Sequence, residues 1–187
     1  MSDKIKERPI IFTGENVRAI IEGRKTQMRR IVGTEPKFGP CPYGEKGSYL
    51  WVRETFMFAK GADVRESYIG TDMEPMLGPK PWYAYRATEP DFGGRMFKWR
   101  PAIFMPRHAS RLTLEITDVR VELLQDISEE NALADGGWKY TNCPVHKNPQ
   151  ESFHLLWDSI NGKRHPWESN PWVWVLGFRK LEGQAVR

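Results

Sequence analysis

Long apolar runs are missing from this sequence. The longest candidate, Pro171 to Phe178, falls well short of the ~20 residues that a membrane-spanning helix needs, so no membrane partner is expected. The opening MSDKIKERP is charged from Asp3 with no apolar segment behind it. It does not read as a secretory signal, and the cytoplasm is the expected compartment. Cysteine is scarce. Cys41 and Cys143 stand about 100 positions apart, which excludes a disulfide framework and points to free thiols. Cys143-Pro-Val-His146 has ligand spacing, but no second close pair accompanies it, so no metal site is expected. There is no G-x-x-x-x-G-K run and no G-x-G-x-x-G after a strand, hence no cradle for a nucleotide cofactor, and none is expected. Four scattered histidines give no Ser-His-Asp arrangement.

What is present suits a globular domain. The chain has 40% apolar and 28% charged residues, proportions that can build a core. Its 187 residues fit a single domain, 1–187, with loop insertions around 33–47, 60–81, 88–100 and 137–150. Net charge is +4, and the signs are segregated along the chain. Four of the bases fall within Arg24 to Arg30, and six bases face two acids from Arg95 to Arg120. From Val121 to Asp135 there are five acids and no base. Separation of this kind suits an oriented polyanion site, although a solvated surface carries such charge equally well.

Periodicity places the elements. Pro9 to Thr13 reads as a first strand, and Val17, Ile20 and Ile21 give a short helix from about Glu15 to Glu22, closed by Gly23. Arg24 to Val32 then continues as an extended basic segment. Ser48 to Ala59 reads as one buried strand and Trp82 to Ala87 as a short one. Leu112 to Leu123 alternates most clearly, with Leu112, Leu114 and Ile116 on one face. Ser128 caps a helix ending at Gly136-Gly137. Gln150 to Asn161 is amphipathic, with Phe153, Leu156, Trp157 and Ile160 on its apolar face. Pro171 to Arg179 is apolar on both faces, which predicts a central strand. Strands with a few short helices and long loops predict an α+β fold on a small barrel.

Gly23-Arg24-Lys25-Thr26-Gln27-Met28-Arg29-Arg30 resembles the signature of the ASCH family, G-x-K-x-x-[ET]-x-R. Gly23, Lys25 and Arg30 match it, and Met28 stands where the family has Glu or Thr. GSYLWVRET and ITDVRVELLQDISEENALADGG, together with the closing WDSIN and NPWVW, look like a group of ASCH-like proteins common in phages and prophages. The resemblance implies a PUA-like small mixed β-barrel with short flanking helices and a cleft beside the signature lysine. It also implies a nucleic-acid-binding protein whose partner is RNA or a modified nucleoside or nucleotide. One bacterial branch hydrolyses the acetyl amide of 4-acetylcytidine with a lysine, a threonine three positions later and a distant glutamate. These map onto Lys25, Met28 and, approximately, Asp135. An amidohydrolase or ribonuclease using Lys25, Thr26 and Asp135 is therefore the alternative, and a phage assembly or protein-interaction role is a third reading.

The residues carry the chemistry as follows. A lysine in a partly desolvated cleft either acts as a base with lowered pKa or stays charged and holds a phosphate. Arg24, Arg29 and Arg30 raise the positive potential beside it. The bland alternative is a basic strand edge that blocks edge pairing. A thioether at position 28 neither attacks a carbonyl nor accepts a proton. In an ideal strand Thr26 and Met28 face one side and Lys25 the other. Asp135, at a helix C-terminus, is unfavourable against the helix dipole, which hints at another use. Arg53, Arg100 and Arg107 are further phosphate candidates, the last two within a basic wall that includes Arg95, Lys98 and Arg111. Trp51, Trp157, Trp172 and Trp174 read as core. Trp82 and Trp99, with Trp138 and Trp167, lie in loops where an indole can stack on a base.

Overall fold

The β-branched and aromatic runs form seven strands, and three segments form α-helices, among residues 7–32, 39–59, 82–90, 98–137 and 148–181, which the computed structural model of the chain describes. In chain order these are β1 (Glu7–Ile11), α1 (Gly14–Ile21), β2 (Gln27–Ile31), β3 (Tyr49–Arg53), β4 (Phe56–Ala59), β5 (Trp82–Tyr85), β6 (Thr113–Leu123), α2 (Glu129–Asp135), α3 (Pro149–Asn161) and β7 (Trp172–Lys180). The fold is α+β, as the pattern predicts. The expected insertions fall largely outside the described residues, as do Arg95, Trp138, Cys143 and His146. No helix among the described residues is long and apolar enough to cross a membrane.

Five strands make one sheet in the order β1-β3-β6-β7-β2, with β1 and β3 parallel and the other neighbours antiparallel. β7 is central, between β6 and β2, and its Val173, Val175 and Leu176 are fully buried. Leu176 joins Leu50, Leu114 and Ile116 from β3 and β6, and Ile10, Phe12, Val17 and Ile20, in the main core. The other face of the sheet is covered by α2 and α3, through Val173 and Val175 against Phe153 and Trp157. The alternation of β6 is reset at Thr117, where the register to β7 shifts between Ile116 and Asp118. A bulge there turns the strand without exposing its apolar side chains.

The barrel expected from the resemblance has an open seam. β1 and β2 are the sheet's two edges, and among the described residues no main-chain ladder joins them. They nevertheless approach closely, because Arg30 Nη2 on β2 donates to the Ile11 carbonyl on β1 at 3.1 Å. A side chain, not a strand pair, spans the gap.

Three expectations are corrected. Ser48 to Ala59 is not one strand, since β3 belongs to the main sheet and β4 pairs with β5 in a separate two-stranded sheet. The break falls at Glu54, a carboxylate 1% exposed that receives two bonds from Arg111, at 2.9 and 3.0 Å. That fork stacks on the Tyr85 ring at 4.1 Å. Burial pushes the Tyr85 phenol up to about 12, so its hydroxyl stays a donor to the Ala109 carbonyl. Of the four tryptophans read as core, only Trp157 is buried, while Trp51 and Trp174 are half-buried and Trp172 is exposed. Ile160, placed on the apolar face of α3, is 64% exposed; the buried residues of that helix, Ser152, Phe153 and Trp157, all lie before it.

Candidate functional site

The signature segment is held by the ends of two helices. Thr13 caps α1 by accepting the Asn16 N–H, and the chain leaves the helix through Gly23 at φ +75°, a conformation that costs glycine little. The N–H groups of Arg24 and Lys25 both donate to the Ala19 carbonyl, at 2.8 and 3.1 Å, and Thr26 N–H donates to Ala134 O at 3.0 Å. Lys25 is thereby clamped against the C-terminus of α2. Its Nζ lies 2.6 Å from Asp135 Oδ1 and also donates to the Asp135 main-chain carbonyl. The carboxylate that looked misplaced at a helix C-terminus is compensated there by an ammonium, which the helix dipole favours.

Arg29 completes the cluster. It donates from Nη1 to Asp135 Oδ2 at 3.1 Å and from Nη2 to Glu122 Oε1 at 2.5 Å, and its guanidinium lies over the Phe153 ring at 5.6 Å. Glu122 also accepts from Arg120. Lys25, Arg29 and Asp135 are all at least nine-tenths buried, so each charge depends on its partners.

These groups floor a cavity of about 110 Å³. Its walls are Phe12 from the end of β1, Met28, Arg30 and Ile31 from β2, and Phe153, Leu156, Trp157 and Ile160 from α3, with Asn16 and Asn161 among its polar lining. Three cationic side chains and one carboxylate line it, so the cavity favours an anion. Their donors are unequally committed. Two of the lysine's N–H bonds go to Asp135, and both terminal nitrogens of Arg29 are in ion pairs. Arg30 makes one hydrogen bond, to Ile11 O, and its Nε, like that of Arg29, is buried with no partner among the described residues. A buried donor without an acceptor costs about 1–3 kcal/mol.

Burial drives the Lys25 ammonium below the ordinary lysine range; Asp135 opposes this, and Arg30 and Arg29 add to it. The unfolded chain therefore binds this proton more tightly than the folded one, and folding is penalised wherever both forms are protonated. Stability contributed by Lys25 should rise with pH from its lowered pKa up to the unfolded value of 10.5. Urea unfolding across that alkaline range checks this, as the rise should disappear in Lys25→Met.

No protein-family profile matches the chain, and no curated protein does. Solved structures similar to this chain include two bacterial proteins. The first is a DUF984 protein from Enterococcus faecalis, 10% identical, with a TM-score of 0.44, covering 97% of this chain and 83% of that one. The second is an ASCH domain from Lactobacillus crispatus, 12% identical, with a TM-score of 0.45, covering 94% of this chain and 79% of that one. Likeness at this level carries no argument. It assigns nothing to the cavity, whose chemistry rests on this chain's own residues.

Sequence and structure agree in part on the site. Lys25, Arg29, Arg30 and Asp135 are brought together, although 110 positions separate Lys25 from Asp135. Met28 joins them, because β2 starts only at Gln27 and Lys25 precedes it. The strict alternation that would set the two side chains on opposite faces does not apply. Thr26 is exposed and outside the cavity lining; its N–H and C=O are fixed by Ala134 and Phe178. Arg24 is exposed and pairs with Glu22. Arg53 donates to the Ile103 carbonyl and Arg107 pairs with Glu7, both beside the Trp51 ring. Arg100 is exposed, Trp82 and Trp99 are half-buried, and none of these lines the cavity. Phe12 and Ile160 were missed as site residues. Nothing local distinguishes them from core positions.

Proposed function

We propose that the protein binds a nucleotide unit, free or within RNA, with its base in the cavity and a phosphate on Arg30. The carrying observation is that a buried Lys25–Asp135–Arg29 cluster and an under-committed Arg30 line the same small cavity as Phe12, Phe153 and Trp157. Aromatic and apolar walls with a few fixed polar groups suit a flat heterocycle. A planar guanidinium with spare N–H groups suits phosphate. The resemblance of Gly23, Lys25 and Arg30 to the ASCH signature agrees with a nucleic-acid ligand, and the phage and prophage likeness of the flanking segments belongs to the same reading.

Titration monitored by tryptophan fluorescence tests the proposal, since Trp157 lines the cavity. A nucleoside 5′-monophosphate should bind about tenfold or more tightly than its nucleoside, as a charge-assisted hydrogen bond contributes ~1.5–3 kcal/mol. That advantage should shrink with rising salt and vanish in Arg30→Ala. Equal affinities in the wild type would count against a phosphate on Arg30, and absence of binding would count against the whole proposal. A hydrolase is the less favoured reading, because the thioether of Met28 stands at the cavity wall and the Thr26 hydroxyl lies outside it.

A further inference from the structure

We propose that the base is read by main chain: the outward N–H and C=O groups of Arg29 and Ile31, on the unpaired edge of β2. The proposal rests on a nucleotide occupying the cavity and names the groups that would recognise its base. It follows from where the cavity sits. Successive side chains of a strand point to opposite faces of a sheet. Yet Met28 and Arg30 from one face, and Arg29 and Ile31 from the other, line the same cavity. A single cavity can meet both faces of a strand only at that strand's edge. One edge of β2 is taken by β7, so the cavity lies along the other, in the seam facing β1.

The ladder shows which main-chain groups point there. Phe178 N–H donates to Thr26 O, and Val32 N–H donates to Trp172 O. In an antiparallel pair these bonds recur at every second residue. Residues 28 and 30, with the Thr26 carbonyl and the Val32 N–H, therefore direct their polar groups to β7, and Arg29 and Ile31 direct theirs into the seam. No strand pairs with them there among the described residues. Each such residue offers a donor and an acceptor side by side, the complement of the adjacent acceptor and donor on the pairing edge of a nucleobase.

The edge is also of the kind that an extended peptide could extend by strand addition. The space opposes it. The cavity measures about 110 Å³, far more than the ~10–15 Å³ that admits one water but closed by Phe12 on one side and α3 on the other. It suits one ring, not a strand.

The test compares the four nucleoside 5′-monophosphates with counterparts N-methylated on the pairing edge. It uses the wild type, Ile31→Val and Ile31→Pro. Proline at position 31 deletes an outward N–H, which an edge strand tolerates, and Ile31→Val controls for trimming the side chain at the cavity wall. In the wild type and Ile31→Val, methylation should weaken binding of the preferred base about tenfold. In Ile31→Pro the unmethylated ligand should lose about that factor and the difference should close. If methylation has no effect while nucleotides bind, edge reading is overturned and nucleotide binding stands. If no nucleotide binds, or a mixed-sequence tetrapeptide binds instead, both fall. Should Ile31→Pro fail to fold, the methylation series on the wild type decides alone.

Discussion

Asp135→Asn should lower stability by about 3–5 kcal/mol, the loss seen when one partner of a buried charge pair is removed. The substitution preserves size and leaves the Lys25 ammonium and the Arg29 guanidinium facing a neutral amide, at 4% and 7% exposure. In a chain of this length each kcal/mol shifts the melting temperature by about 2–4 °C, so a fall on the order of 10 °C is expected. A surface ion pair would predict almost nothing, since such pairs contribute about 0–1 kcal/mol. The companion variant separates charge from shape. Adding Lys25→Met to Asp135→Asn removes the stranded ammonium and leaves Arg29 on Glu122. The double variant should recover much of the loss, because an apolar replacement of a buried pair is often neutral. Urea unfolding of these two variants and of Lys25→Met alone gives the coupling. A double variant no better than Asp135→Asn would mean that the cluster contributes through packing.

Arg111→Met is expected to cost a similar ~3–5 kcal/mol, at a place outside the cavity lining. It strands the Glu54 carboxylate, 1% exposed, at the break between β3 and β4, and removes the guanidinium from the Tyr85 ring. Arg111→Lys should recover only part, because an ammonium cannot make the two parallel bonds. Neither residue lines the cavity, so nucleotide affinity measured well below the melting temperature should match the wild type. Loss of binding in Arg111→Met would show that the two ionic clusters are coupled.

The contrast between these clusters explains what the sequence could disclose. The Lys25 cluster was partly legible, since a signature lysine and an acid at the wrong end of a helix each ask for a partner. The Glu54–Arg111 pair was not: WVRET reads as unbroken strand, and only a partner 57 positions away reveals a buried carboxylate. Helix ends were legible because caps are local chemistry, as at Thr13 and Ser128. The tryptophans misled for the opposite reason. Trp172 lies in an apolar run whose neighbours are buried, yet its own exposure depends on what lies across the sheet. Phe12 and Ile160 became cavity walls only when β1 and α3 met over β2, a juxtaposition that no window of sequence contains.

A fully laddered barrel would have to break backbone hydrogen bonds to admit a guest between its strands. Here, among the described residues, the gap between the two edge strands β1 and β2 is latched by the Arg30 guanidinium resting on the Ile11 carbonyl. Swinging Arg30 from Ile11 onto an incoming phosphate would open the latch and seat the guest in a single movement, and the cost of entry would be one exchanged acceptor while the sheet stayed intact.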